Sequence, residues 1–269
     1  MKLDGQRRVL ITGASRGIGR ALAEALTKRR CTVGLVARNA SDLDRLAAEL
    51  QSAGGRAIPL PADVGDREQV ERAVQRFTVE AGAIDVLIAN AGVAWYGPFR
   101  NMPIEEAERM TRVNWLGTVY SVHAVLPGML DRAEGHIAIT SSAAGHRSFP
   151  WAAIYGATKF AQRGFLEALR HELSGTGVSV TGVYPGEVKT NLHDDDRAND
   201  RMPDWYRPHA AIPPESVADA IIEAIEQRKQ AVFVPPLTRL LSIAHGISPK
   251  LANRMLRTIM SPSAAPWRG

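Results

Sequence analysis

Tyr155 and Lys159 stand one helical turn apart in the stretch YGATK, with Ser141 and Ser142 a little before them. Residues at that spacing share a helix face, so a phenol and an ammonium can meet there. A cation about 4 Å away, at an effective dielectric near 20, favours the phenolate by roughly 4 kcal/mol, nominally about three pKa units before screening. A phenol so placed can trade protons near neutral pH, as an acid/base catalyst must. A nearby serine hydroxyl can hydrogen-bond the oxygen on which charge develops. A surface pair on a solvated helix has the same spacing, so the surrounding elements must decide.

Those elements alternate. RVLIT, CTVGLVA, RAIPLPA, DVLIAN, HIAITS, VSVTGVY and AVFV are apolar runs rich in β-branched residues and read as strands. Between them, segments from GRALAEALTKR to PESVADAIIEAIEQR repeat apolar residues at three- and four-residue steps, the period of amphipathic helices. Strands apolar along their whole length fit a parallel sheet covered on both faces, and repeated right-handed βα units make it doubly wound. The expected fold is α/β, a doubly wound parallel sheet of about seven strands. No Pro/Gly/Ser-rich linker divides the 269 residues. Residues 1–235 are expected to form one catalytic domain with a substrate loop at about 187–213, and 236–269 a basic amphipathic helical extension.

Composition narrows the class. With 45% hydrophobic and 23% charged residues the chain is an ordinary globular one, which argues against disordered, collagen-like or disulfide-rich builds. Its single cysteine, Cys31, cannot form an internal disulfide and reads as a small buried hydrophobe. The net charge of +5 sits in the tail: Arg239, Lys250, Arg254, Arg257 and Arg268 lie beyond residue 235, with no Asp or Glu. The body is near neutral, which argues against nucleic acid as a partner. The opening MKLDGQRRVLITG has no secretory h-region, and no apolar run reaches membrane-span length. A cytoplasmic protein is expected.

The first strand runs into TGASRGIG. Gly13, Gly17 and Gly19 there would let backbone N–H groups approach a pyrophosphate at a helix N-terminus, with Ser15 and Ile18 in the same loop. The second strand ends in LVARN, where Ala37 and Arg38 replace the carboxylate that would grip a free ribose 2′-hydroxyl. Arg16 and Arg38 suit a 2′-phosphate through charge-assisted hydrogen bonds, so NADP(H) is expected over NAD(H).

With these pieces in order, residues 7 to 235 resemble the short-chain dehydrogenase/reductase family in its compact single-domain branch, with a Rossmann-type sheet. The resemblance implies that Asp63, with Val64 beside it, meets the adenine ring. It implies that Asn90-Ala91-Gly92 supports the central sheet, and that Pro185, Gly186, Val188 and Thr190 lie near the nicotinamide carboxamide. It places Asn114 in a catalytic tetrad with Ser142, Tyr155 and Lys159, Ser142 standing thirteen residues before the tyrosine. Tyr155 is then the acid/base and Lys159 also holds the nicotinamide ribose, while Asn114 holds a water that links Lys159 to solvent. Ser141 is left a strand-end hydroxyl bonding nearby backbone.

Other residues offer less. The seven His show no pair at zinc-site spacing, so no metal is expected. His146 and His193 read as loop or surface residues, and Asp194, Asp195 and Asp196 as a solvated loop. Trp95, Tyr96, Phe149, Trp151, Trp205 and Tyr206 cluster in loops and are candidate walls of an apolar substrate pocket. The leading expectation is an NADP(H)-dependent carbonyl reductase or alcohol dehydrogenase for an apolar or bulky steroid-, retinoid- or lipid-like substrate. The alternatives are a β-ketoacyl thioester reductase and a non-catalytic NADP-binding sensor. The tail departs from the ending of many family members that act on thioesters, which counts against the first alternative. It reads as a packed helix pair or an oligomer contact, ahead of a membrane-surface anchor. The resemblance implies a homo-dimer or homo-tetramer through helices around 113–131 and 152–173.

Overall fold

The structure, a computed structural model, describes residues 1–190, 192, 211–250 and 254. His193, Asp194 to Asp196, Trp205 and Tyr206 lie outside the described residues. The seven expected strands form: β1 (Arg8–Thr12), β2 (Thr32–Ala37), β3 (Arg56–Pro61), β4 (Val86–Ala89), β5 (Gly135–Thr140), β6 (Val178–Pro185) and β7 (Ala231–Val234). All pair in parallel in the order β3-β2-β1-β4-β5-β6-β7.

The alternation of side chains along each strand feeds two cores. Val9 and Ile11 of β1, with Val86 and Ile88 of β4, pack against α1 (Gly17–Lys28), α2 (Ala40–Ser52) and α7 (Pro214–Glu226). Leu10, Leu87, Ile137 and Ile139 face the other way, towards α3 (Arg67–Ala81), α5 (Gly117–Asp131) and α6 (Ala153–Glu172). The long amphipathic run at 105–130 is not one uniform helix. It is α4 (Ile104–Met110), one π-helical turn over Thr111–Leu116, then α5. Another helix, α8 (Leu237–Ile247), follows β7.

Helix starts differ in a way that matters for the site. Asn39 caps α2 by accepting from the Asp42 N–H, and Asp66 caps α3 by accepting from the Gln69 N–H. The first turn of α1 has neither a side-chain cap nor an acidic residue, so its N–H groups remain available to a ligand.

Candidate active site

The chain order reverses between β1 and β4, so a crevice opens at the carboxyl ends of those two strands. It is a cleft of about 850 Å³. Gly13, Ser15, Arg16, Gly17 and Ile18 line it from the loop before α1. Gly13 has φ +68°, and a Cβ on it would lie 2.8 Å from Ala91 Cα; one on Gly19 would lie 2.1 Å from the Gly13 carbonyl oxygen. The loop can therefore turn this tightly only without side chains at those positions. Gly19 sits behind the loop and does not itself border the cleft.

Thr12 ties this loop to β4, its hydroxyl accepting from the N–H groups of both Asn90 and Ala91 at 3.0 Å. The Asn90 amide donates to the Thr12 carbonyl at 3.2 Å. Asn90, Ala91 and Gly92 thus border the cleft. Asp63 and Val64 border the cleft at the end of β3, where the Asp63 carboxylate accepts from the Gly65 N–H at 2.9 Å. Arg16 and Arg38 are exposed at the same end of the cleft. Pro185, Gly186, Val188 and Thr190 line the opposite wall. The uncapped α1 terminus, the Cβ-free loop and a crevice at the strand reversal fit a dinucleotide; Gly13 to Ile18 would hold its pyrophosphate.

The reacting side chains converge on the cleft from β5 and α6. Ser142 follows β5 and hydrogen-bonds the Tyr155 phenol, as Tyr96 does from the loop after β4. Burial pushes the phenol above its ordinary pKa, and these two hydrogen bonds pull it back down. Lys159, one turn on, donates to the Thr140 carbonyl at 3.0 Å, and its Nζ lies 5.7 Å from the Tyr155 ring centre. Burial lowers its pKa to about 7. Lys159 is itself desolvated, and the phenol's hydrogen-bond partners are the groups that favour its ionised form.

Ser141 borders the cleft, but its hydroxyl is spent on the backbone, donating to the Lys159 carbonyl at 3.0 Å. Asn114 sits in the π-helical turn, fully buried. Its amide exchanges hydrogen bonds with the Val93 backbone at 2.8 and 2.9 Å and donates to Thr158 Oγ1 at 3.1 Å. Its carbonyl accepts from Gln162 and Thr118, both at 2.8 Å. Asn114 therefore bolts the Gly92 wall to α6 from behind. Thr12, Thr158 and Gln162 were not marked by the sequence reading; small hydroxyls and amides at element ends give no periodic signal.

Among the aromatic candidates, Tyr96 and Phe149 line the cleft, their rings stacked at 5.9 Å. Trp95 and Trp151 do not border it. Trp95 is buried in the core, where it lies against Gly97, and the Trp151 carbonyl accepts from the Gly97 N–H at 3.0 Å. His146 lies in the turn after Gly145, a loop residue as expected, half-buried and away from the cleft. Its ring packs on Tyr184 and Phe233, Nδ1 meets Ser242 Oγ at 2.6 Å, and burial lowers its pKa to about 4.

Known proteins resemble this chain in sequence and fold. The chain is 39% identical over 220 residues to glycine betaine reductase ATRR of Emericella nidulans, covering 81% of this chain but only 17% of that much longer protein. It is 35% identical over 258 residues to ketoacyl reductase HetN of a Nostoc species, covering 93% of this chain and 88% of HetN. A 3-oxoacyl-[acyl-carrier protein] reductase of Brucella melitensis, solved with bound NAD, superposes with a TM-score of 0.74 at 32% identity, over 87% of this chain and 92% of that one. The family model for short chain dehydrogenases matches residues 7–201. The chain belongs to that family, as an NAD(P)-dependent oxidoreductase acting on a carbonyl or alcohol group.

Proposed function

We propose that the protein uses NADPH to reduce the ketone of a 3-oxoacyl thioester. The observation that carries the chemistry is the convergence of the Ser142 and Tyr155 hydroxyls on one cleft with Lys159 buried beside them. When bound, the dinucleotide supplies a hydride to the carbonyl carbon. Ser142 donates a hydrogen bond to the carbonyl oxygen as negative charge grows there. Tyr155 gives that oxygen its proton. Lys159, with a pKa of about 7, is poised to exchange a proton at physiological pH. Asn114 and Thr158 hold the backbone around these groups, so their positions are set before substrate arrives.

The thioester reading draws on the names of HetN and the Brucella reductase. The likeness to HetN spans 93% of this chain, so the unusual tail does not by itself set the chain apart from a ketoacyl reductase. The preference for NADPH draws on Arg16 and Arg38, which border the cleft beyond Ala37. Asp42, the carboxylate at that end, is paired with Arg45 at 2.7 Å. A second reading, a free apolar ketone such as a steroid or retinoid, is favoured by the stacked Tyr96 and Phe149 beside Tyr155.

The test is NADPH oxidation with acetoacetyl thioesters and with a panel of free ketones and aldehydes, NADH serving as the parallel cofactor. Thioester turnover that prefers NADPH and falls by roughly 10²- to 10⁴-fold in Tyr155→Phe is the expected result. Turnover of free apolar ketones alone would move the assignment to the second reading. Equal rates in wild type and Tyr155→Phe would remove the phenol from the chemistry.

A further inference from the structure

Helix α8 has its polar side turned inward. Ser242 bonds His146 at 2.6 Å, and Thr238 lies against Gly186, 3.5 Å from where a Cβ there would stand. Leu237, Leu240, Ile243 and Ile247 face outward, 64%, 61%, 48% and 81% exposed. At 100° per residue these four occupy about 120° of the helix circumference, a continuous apolar stripe. Among the described residues, nine large hydrophobic side chains are exposed, and four of them belong to this one helix. Scattered exposed hydrophobics are ordinary, whereas a stripe of this kind is a contact surface.

The charge around the stripe says what it contacts. Arg239 borders it within α8, and Lys250 and Arg254 are exposed just beyond. Residues 236–269 hold five Lys or Arg and no Asp or Glu. In a two-fold contact between copies the same face would meet itself, Arg239, Lys250 and Arg254 against their own counterparts, and residues 236–269 supply no carboxylate to pair them. An apolar layer beneath a sheet of anions is the complement of an apolar stripe bordered by cations. We propose that α8 docks the protein on an anionic lipid surface, lying in the headgroup region with Leu237, Leu240, Ile243 and Ile247 in the acyl boundary. The docked helix begins directly after β7, whose partner strand β6 ends in the cleft-lining Pro185. The cleft is thereby held close to the lipid layer. This inference stands apart from the identity of the substrate.

The experiment is co-sedimentation of the full chain with vesicles of phosphatidylcholine alone or mixed with phosphatidylserine. Wild type is expected to pellet with the anionic vesicles, and far less with neutral ones or at high salt. The double variant Leu240→Glu, Ile243→Glu is expected to lose at least about ten-fold in vesicle affinity. Its circular dichroism and its dinucleotide binding in free solution should remain those of wild type, because neither side chain borders the cleft. If that variant does not fold, Arg239→Gln with Lys250→Gln carries the test, with weaker binding to anionic vesicles expected. Wild type left in the supernatant with anionic vesicles would overturn the proposal. So would unchanged pelleting in the folded variants, or a dimer that depends on Leu240 and Ile243 in place of vesicle binding.

Discussion

Tyr155 is buried at the wall of the cleft, and its ionisation is set by what touches its oxygen. Burial opposes the phenolate; Ser142 and Tyr96 favour it by donating hydrogen bonds. Tyr96 was legible in the sequence only as an aromatic wall, because a loop position gives no sign of where its hydroxyl ends up. Removing that hydroxyl in Tyr96→Phe takes away one of the two bonds, so the phenol's pKa rises. Alcohol oxidation, which needs the phenolate, should then move its pH limb upward and slow by roughly three- to ten-fold near neutrality, the worth of one neutral hydrogen bond. Carbonyl reduction, which needs the phenol, should be affected less there. A pH profile of kcat for oxidation that matches wild type would return Tyr96 to the role of wall. Ser142 was readable from a family spacing and Lys159 from its place one helical turn after Tyr155; Thr12, Thr158 and Gln162 were not, since each acts through hydrogen bonds to groups far along the chain.

Strands and helices announced themselves through period. RVLIT and AVFV are strands over the same residues that the pattern marks; RVLIT is buried along β1 in mid-sheet, whereas AVFV forms the partly exposed edge strand β7. The π-helical turn at Thr111–Leu116 escaped, since a one-residue widening barely disturbs a three-and-four-residue repeat. Yet it is the turn that presents Asn114 to Val93 and Thr158. Another buried element contact has a pH signature. His136 of β5 is 1% exposed and its Nε2 lies 2.8 Å from Thr181 Oγ1 on β6. Thr181 donates its own proton to the Lys229 carbonyl, so the histidine Nε2–H is the donor and the ring is neutral. Burial lowers its pKa from 6.5 to about 4. Between those values the unfolded chain binds the extra proton, so this stabilisation is complete above pH 6.5 and fades as pH falls towards 4. Denaturant titrations at pH 7 and pH 4.5 should differ by on the order of 2 to 3 kcal/mol from this group. In His136→Gln the difference should shrink by about that amount; an undiminished acid slope would show that other groups carry it.

For the whole molecule, the cleft joins segments from residue 13 to residue 192. A dinucleotide seated there binds the folded state alone. At about a hundred times its Kd it should add about 2.7 kcal/mol, raising Tm by roughly 5–10 °C for a chain of this size. Gly19→Ala should fold and lose most of that shift, because its Cβ meets the Gly13 carbonyl and forces the loop away from the ligand. Differential scanning calorimetry with and without NADPH decides it; an equal shift in the variant would mean the loop can relax. The reversal between β1 and β4 also has a consequence for descent. Arg16 and Arg38 sit on the β1–β2 side of that reversal, while Ser142 and Tyr155 sit on the β5 side. On the proposed reading of Arg16 and Arg38, the choice of dinucleotide and the chemistry at the substrate carbonyl are written in separate stretches of the gene. A lineage can change which redox pool it draws on without relearning its substrate, and can change its substrate without leaving that pool.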